Sequence, residues 1–536
     1  MEVIQFTLVL LLLTAVSGAL VRWTRLPLPA FLVIVGAGAS FIPGLDHIDV
    51  NPEVFLLLFL PPLLFADARV LPRRDLLRVM KPVLGLALGL VVLTVVCVGY
   101  FIHWLVPSIP LAVAFTLGAI VSPTDAVATV ATTSLLPLPA RVTHIVNAES
   151  LINDATGLVA FKLAVAAAAA ASTVTLGEVS QQFLLLSGGG VLVGVVVEWL
   201  GRKLREAVLA MGGDDPVLQV LLMLMVPYAA YLVAEAAHVS GILAVVTSGL
   251  WAGGQEVKGL SAEGRRHARE VWRLVGYVFN GLVFVLLGLQ LRHMVAGAGP
   301  HGPVELALWA VALWALLMAL RFAWVWGSAW IRFKLRWGWA GGHQGPDNKR
   351  LFLLSWAAVR GSITLATALS VPLVTTAGAP LPERGLIVFL AAATIILTLG
   401  VNGLTCPWFI RRLDTPGDGG EMEEQLARAE MARSAIGAIT PAMARLADPH
   451  DREYAESLVT RYEGIVAMNE GGPRIAELNV QRVANARQLR LAGIEAERAC
   501  LRDLASQNLV NDEVFLLLEE ELDQREMIFS KEPTRG

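Results

Sequence analysis

Long apolar blocks separated by short polar breaks occupy most of the chain, and this pattern sets the fold class. A membrane-crossing helix needs ~20 mostly apolar residues, with ~17–25 usual. On that template the sequence predicts about thirteen spans: 3–21, 28–44, 53–66, 81–105, 110–136, 143–171, 181–200, 216–237, 240–253, 270–292, 304–331, 350–376 and 384–411. Segments 53–66 and 240–253 are short for a span. Segment 110–136 is polar at its centre, SPTDA, and reads as a broken helix. The chain is therefore expected to be an all-α polytopic membrane protein. Its opening run, MEVIQFTLVLLLLTAV, has no basic residues before the apolar stretch and reads as a first span rather than a cleaved leader.

The charges between the blocks give an orientation. Loops on one side hold Arg22 and Arg25, Arg69 to Lys81, Arg141, Arg202 to Arg205, Lys258 to Arg269, Arg332 to Arg350, and Arg411 with Arg412; the other side holds only Arg292 and Arg384. Basic loops stay in the cytosol. This places the N-terminus outside, the C-terminal tail in the cytosol, and the protein in the cytoplasmic (inner) membrane. An odd span count also fits two six-helix halves joined by one linking span. Such halves are inverted repeats, whose site lies at the midplane among interrupted crossing helices. The broken fifth span then pairs with the twelfth, VRGSITLATALSVP, and the sixth with the thirteenth.

Beyond the membrane part, residues 1–412, a Gly- and Pro-containing linker is expected at 413–420. Residues 421–536 read as a soluble helical tail for regulation or assembly, with EVFLLLEEELDQRE as an amphipathic helix near its end. The chain is 55% hydrophobic and only 16% charged, against roughly 25% charged in soluble domains. A net charge of −3 with no basic, aromatic-interleaved patch gives no sign of nucleic-acid binding. The three cysteines have no metal-binding spacing, and no nucleophile–base pair is legible, so neither an enzyme nor a cofactor is expected.

Asp154 lies in the middle of an apolar segment. A carboxylate at that depth costs roughly 2.5–3.5 kcal/mol on insertion scales and is normally retained to carry a proton or cation. In NAESLINDATG, residues 147–157, Ser150 and Asp154 share one helix face; Glu149 and Asn153 share another, about 100° away. A carboxylate with a hydroxyl suits a hard monovalent cation. Glu149 needs a positive partner, and Arg360 is the candidate, forming a scaffold ion pair. In VSPTDAVATVATT, residues 121–133, Pro123 frees carbonyls that can join the Thr124 hydroxyl as cation ligands. Asp125 is placed to offset a helix N-terminus at the break and is a further candidate ligand. Asp67, beside the third span, is another. Thr132 and Thr133 are expected to bond back to their own helix. Arg321 is expected to reach the inner interface, and Lys162 to extend outward from its span.

These segments together resemble the sodium/proton antiporters of the monovalent cation:proton antiporter-1 family. The matching text is SPTDAVA at 122–128, ESLINDATG at 149–157, SGILAV at 240–245, NGLVFVLLGLQL at 280–291 and RGSITLATALSVP at 360–372, in one order across 1–412. The resemblance implies an inverted-repeat fold in which a core domain moves against a dimerisation domain, within a homodimer. It implies that Asp154 binds Na⁺ and H⁺ in turn, with Asn153 marking electroneutral exchangers, and that Thr124 and Ser150 contribute Na⁺ ligands. Glu149 with Arg360 would match the family's ion pair. Family members often carry an acid straight after the LF of the third span; here Ala66 stands there and Asp67 follows. The expected activity is one-for-one Na⁺/H⁺ exchange, extending to Li⁺, by alternating access. K⁺/H⁺ antiport, a gated cation channel, and a receptor signalling through the tail are the alternatives.

Overall fold

The computed structural model describes residues 2–24, 26–42, 52–71, 73–133, 136, 138–170, 176–213, 215–253, 262–337, 347–374, 379–413, 420–470, 473–507 and 509–530. The expected linker at 413–420 falls almost wholly outside these residues, as do Arg25 and Lys258. The chain forms two compact units, residues 1–416 and 417–536.

Among the described residues, the regular structure of the first unit is helical apart from an isolated bridge between Val374 and Pro380. In order its helices are α1 Glu2–Leu20, α2 Leu28–Ala39, α3 Pro52–Val70, α4 Arg73–Leu84, α5 Val91–Leu105, α6 Leu111–Val121, α7 Ala126–Thr132, α8 Ala140–Ala170 and α9 Leu176–Ala210. They continue with α10 Pro216–Ala236, α11 Gly241–Gly253, α12 Ala262–Gly297, α13 Pro303–Trp337, α14 Asn348–Trp356, α15 Ser362–Leu369, α16 Arg384–Leu397 and α17 Leu404–Leu413. Widened π-type turns, Gly85–Leu90 and Thr398–Gly403, join α4 to α5 and α16 to α17.

Among the described residues, seven helices are long and apolar enough to cross a membrane, or eight if the bent pair α6–α7 is one span. Shorter apolar helices cover Thr7–Trp23, Leu28–Ala39 and Gly241–Gly253. The protein is thus an all-helical polytopic membrane protein. Apolar side chains such as Leu184, Leu185, Leu192 and Leu200 on α9 remain exposed, as lipid-facing positions require.

Local sequence sets several helix ends. Pro216 opens α10 at a position where a missing N–H costs nothing, and the Asp215 carboxylate accepts from the Val217 N–H at 2.8 Å. The Asp347 side chain caps α14 in the same way, at 3.0 Å to the Lys349 N–H. Packing between α2 and α12 depends on small residues. A Cβ on Gly36 would lie 2.2 Å from the Val285 carbonyl, and one on Gly288 would lie 2.2 Å from that of Val33. Without Cβ atoms the two backbones meet directly, which is how helices associate where lipid is as apolar as the side chains.

Two helical rods are interrupted. The first breaks between α6 and α7, which are bent by 48°, and the second breaks over residues 357–361 between α14 and α15. The breaks touch: the Asp125 N–H donates to the Val359 carbonyl at 2.7 Å, and the Thr129 hydroxyl donates to the Ala357 carbonyl at 2.9 Å. Against them pack α8 and the α16–α17 rod.

The second unit holds α18 Gly420–Met443, α19 Pro449–Glu470, α20 Pro473–Ser506 and α21 Asp512–Ser530. The expected terminal amphipathic helix corresponds to α21, whose Leu522 packs with Ile494 and Leu501 of α20. Ion pairs staple the surface, Arg525 to Glu497 at 2.7 Å and Arg498 to Glu526 at 2.6 Å. Hydrogen bonds donated to Glu430 and Glu470 hold the Arg433 guanidinium above its ordinary pKa.

Candidate functional site at the crossed breaks

Helix ends created inside a membrane expose unpaired backbone groups and partial charges, positive at N-termini and negative at C-termini. Two side chains compensate them. Asp125 sits at the N-cap of α7, where its Oδ1 accepts the Ala128 N–H at 2.8 Å. Its Oδ2 accepts from the Ser362 N–H at 3.0 Å and the Ser362 hydroxyl at 3.3 Å, at the start of α15. A single carboxylate therefore serves both half-helix N-termini. At the opposite polarity, the Arg360 guanidinium donates to the Val121 carbonyl at the end of α6 (3.2 Å) and to the Ala358 carbonyl just past α14 (3.4 Å).

This corrects the expected Glu149–Arg360 ion pair. Glu149, only 1% exposed, is held through both oxygens by Arg321 of α13, one of the bonds being 2.9 Å from Nη2 to Oε2. Arg321 also donates to the Leu354 carbonyl at 3.0 Å, and it is 2% exposed. It does not extend to the interface as its sequence position suggested. The physical reason is donor geometry: Arg321 presents its fork to a single carboxylate, whereas the backbone of Arg360 is fixed inside the break and its guanidinium is used up on nearby carbonyls.

The polar face of α8 meets the first break, and Ser150 and Asn153, expected on different faces, both reach Thr124. The Ser150 hydroxyl donates to the Thr124 carbonyl at 2.6 Å and accepts the Ala126 N–H at 3.0 Å. The Asn153 Nδ2 donates to the Thr124 hydroxyl at 2.9 Å. Thr124, Ser150, Asn153 and Asp154 are all buried. Asp154 Oδ1 and Asn153 Oδ1 are buried with no hydrogen-bond partner. Buried acceptors without a donor are costly, so their presence marks a place for a proton or a cation.

Such a place exists. A small cavity of about 10 Å³, the room of one water or one bare cation, is lined by Asp67, Thr124, Asp125, Ser150 and Asp154 from one side and by residues 361–364 from the other. Asp67 therefore reaches the site although it stands one residue later than the family's usual acid. Asp67 also lines a second, larger cavity of about 490 Å³, walled by Leu28, Leu32, Val127, Ala131, Trp272 and Phe284 and rimmed by Arg69, Arg269 and Arg273. The ion-sized space thus adjoins a vestibule at Asp67.

Several further polar contributors escaped sequence reasoning. The Thr398 hydroxyl accepts the Arg360 N–H at 3.0 Å, stitching the second break much as Ser150 stitches the first. Asn402 accepts from Trp314 at 3.0 Å and donates to the Trp356 carbonyl at 2.9 Å. Thr394, Thr398 and Asn402 recur every four residues in an otherwise apolar block, which is a signal available in the sequence. Thr132 and Thr133 bond back to the Thr129 carbonyl as expected, at 2.8 and 3.0 Å. Lys162 is not free: it pairs with Glu235 of α10 at 2.5 Å.

Crossed, interrupted helices with charged groups at the crossing define a secondary-transporter architecture. The fold matches that of the sodium proton antiporter MjNhaP1 from Methanocaldococcus jannaschii, with a TM-score of 0.60 at 18% identity, covering 77% of this chain and 99% of that one. Residues 8–412 match the family model described as sodium/hydrogen exchanger, transmembrane. The chain belongs to this family of monovalent cation/proton antiporters. It is similar to the uncharacterized Na(+)/H(+) exchanger YjcE of Escherichia coli, 36% identical over 99% of this chain and 100% of YjcE. It is also similar to the sodium, potassium, lithium and rubidium/H(+) antiporter of Bacillus pumilus, 34% identical over 99% of this chain and 78% of that protein.

Proposed function

We propose that the protein exchanges Na⁺, and also Li⁺, for H⁺ one for one across the cytoplasmic membrane, with Asp154 as the group that binds either ion. The observation that carries this reading is the bare Asp154 Oδ1 facing an ion-sized cavity among oxygen atoms. Ser150, Thr124 and Asn153 complete the first ligand set, Asp67 adds a carboxylate at the vestibule side, and Asp125 holds the break open without exchanging its own partners. Arg321 and Arg360 offset Glu149 and Asp125, which leaves Asp154, with Asp67 at the vestibule side, to set the charge of the site.

A carboxylate without a counter-ion is expensive to carry through the membrane interior. The moving body therefore changes sides when Asp154 holds a proton or a cation. The two compete for one group, which couples their fluxes in opposite directions. In this reading the body comprises the crossed rods with α8 and α16–α17, and it moves against a dimerisation domain in a homodimer. The full membrane part holds thirteen spans in two inverted halves, with the N-terminus outside and residues 421–536 in the cytosol. The basic rim formed by Arg69, Arg269 and Arg273 supports a vestibule facing the cytosol.

A K⁺/H⁺ reading is the alternative that a specific observation favours, since the Bacillus pumilus relative is named for sodium, potassium, lithium and rubidium. Reconstituted protein assayed with Na⁺, Li⁺ and K⁺ under a potential clamp separates the two. Proton movement driven by Na⁺ and Li⁺ but not K⁺, and insensitive to potential, is the expected result. A potential-dependent rate rejects one-for-one exchange, and equal K⁺ flux rejects the ion assignment.

A further inference from the structure

We propose that Lys162 and Glu235 form the outer gate of the exchange cycle: an ion pair that is closed when the vestibule opens to the cytosol and must separate for the outward-open state. This rests on the exchange reading above, and it assigns a task to two residues that the ion site itself does not use.

Lys162 lies on α8 eight residues beyond Asp154, about 12 Å along the helix axis. It is the charged group next along that helix on the side away from Arg141. Glu235 ends α10 on the same side of the proposed topology. Their charged atoms are 2.5 Å apart, with side chains 39% and 36% exposed, so the pair stands at the surface of the helices rather than in the core.

The two residues stand on helices whose main neighbours differ, although α8 also touches α9 and α11. Through Ser150, Asn153 and Glu149, α8 is bonded to the first break and to α13. In contrast, α10 packs against α3, α9, α11 and α12. The pair therefore bridges the body that carries Asp154 and the body it moves against. Toward the cytosol the seam between them widens into the vestibule that reaches Asp67. Beside the site, Phe59, Leu60, Leu63, Val283 and Ala366, with Ser362, close around a space of about 10 Å³. That apolar constriction holds back ions, and the Lys162–Glu235 pair latches the seam above it. A pair near the outer surface suits a latch because it is weak enough to open in each cycle, whereas a fully buried one is not.

The test uses the full-length protein with Cys97, Cys406 and Cys500 replaced by serine. In this background Lys162→Cys with Glu235→Cys is reconstituted and exchange is measured before and after joining the two thiols with a short bifunctional reagent. Exchange that is lost on linking and regained on reduction is the expected result. Equal exchange in the linked and reduced states overturns the gate while leaving the exchange reading intact; Na⁺/H⁺ exchange by the cysteine-free parent reports on that reading separately.

A second arm needs no cross-link. Ala366→Cys is labelled from outside with a membrane-impermeant maleimide. Glu235→Gln should raise the labelling rate about two- to five-fold, the range for an exposed ion pair. The charge swap Lys162→Glu with Glu235→Lys should restore the parent rate. Labelling that ignores Glu235→Gln overturns the proposal even if the cysteine pair fails to fold.

Discussion

Arg321 of α13 grips both carboxylate oxygens of Glu149 in α8, and neither side chain is more than 2% exposed. The pair fixes the helix that carries Asp154 to a neighbour outside the crossed rods. Removing either partner strands a buried charge, at a cost of ~3–5 kcal/mol. Arg321→Ala and Glu149→Ala are each expected to lower the melting temperature of the detergent-solubilised protein strongly. The double variant should melt well above the sum of the two losses. Additive losses would show that the two residues do not act as a pair. Arg360→Ala should leave the Glu149–Arg321 coupling intact.

Asp125 bonds the N-termini of both α7 and α15. Each lost cap costs about 0.5–2 kcal/mol. Asp125→Ala is expected to destabilise the protein more than Asp125→Asn, which keeps an acceptor for one of the two ends. Thermal unfolding with exchange measured in parallel checks the order. Equal melting temperatures for parent and alanine variant would contradict the double cap.

Gly361 stands at the N-cap of α15. Space is what restricts it: a Cβ there would lie 1.8 Å from Asp125 Oδ2. Gly361→Ala should therefore pull the two breaks apart and abolish exchange. Gly437→Ala, in the second unit, has open space around it and is expected to be silent. Exchange that survives Gly361→Ala at the parent rate would mean the crossing is looser than drawn.

Asp67 lines both the vestibule and the ion-sized cavity. Asp67→Asn is expected to raise the cation concentration needed for half-maximal exchange while leaving the maximal rate largely unchanged. Because proton and cation compete for Asp154, that concentration should also rise as the pH is lowered. A cation requirement independent of pH would argue for separate sites.

Much of the site was legible because helical spacing is short-range. Ser150 and Asp154, four residues apart, were expected on one face, and Pro123 marked the break that Thr124 and Ser150 share. The partner of Glu149 was not legible. Arg321 and Arg360 both stand in apolar segments, and a choice between them depends on which helix lies beside α8, which spacing does not encode. The same holds for Lys162, whose long side chain suggested an outward reach but which meets Glu235 on a helix far along the chain. The break at 357–361 carries no proline, so the signal that revealed the first break is missing there. Span counting read hydropathy well for rods such as α5, α10 and α13. The helices α2 and α11 are shorter than a full span, 12 and 13 residues.

The account stands on Asp154 as the exchanging group. In proteoliposomes with an internal pH dye, a Na⁺ pulse should alkalinise vesicles loaded with parent protein and reverse when the gradient is reversed. Asp154→Asn, folded and inserted at parent levels, should give no Na⁺-dependent pH change. A sodium-driven proton flux in Asp154→Asn equal to that of the parent would contradict the account.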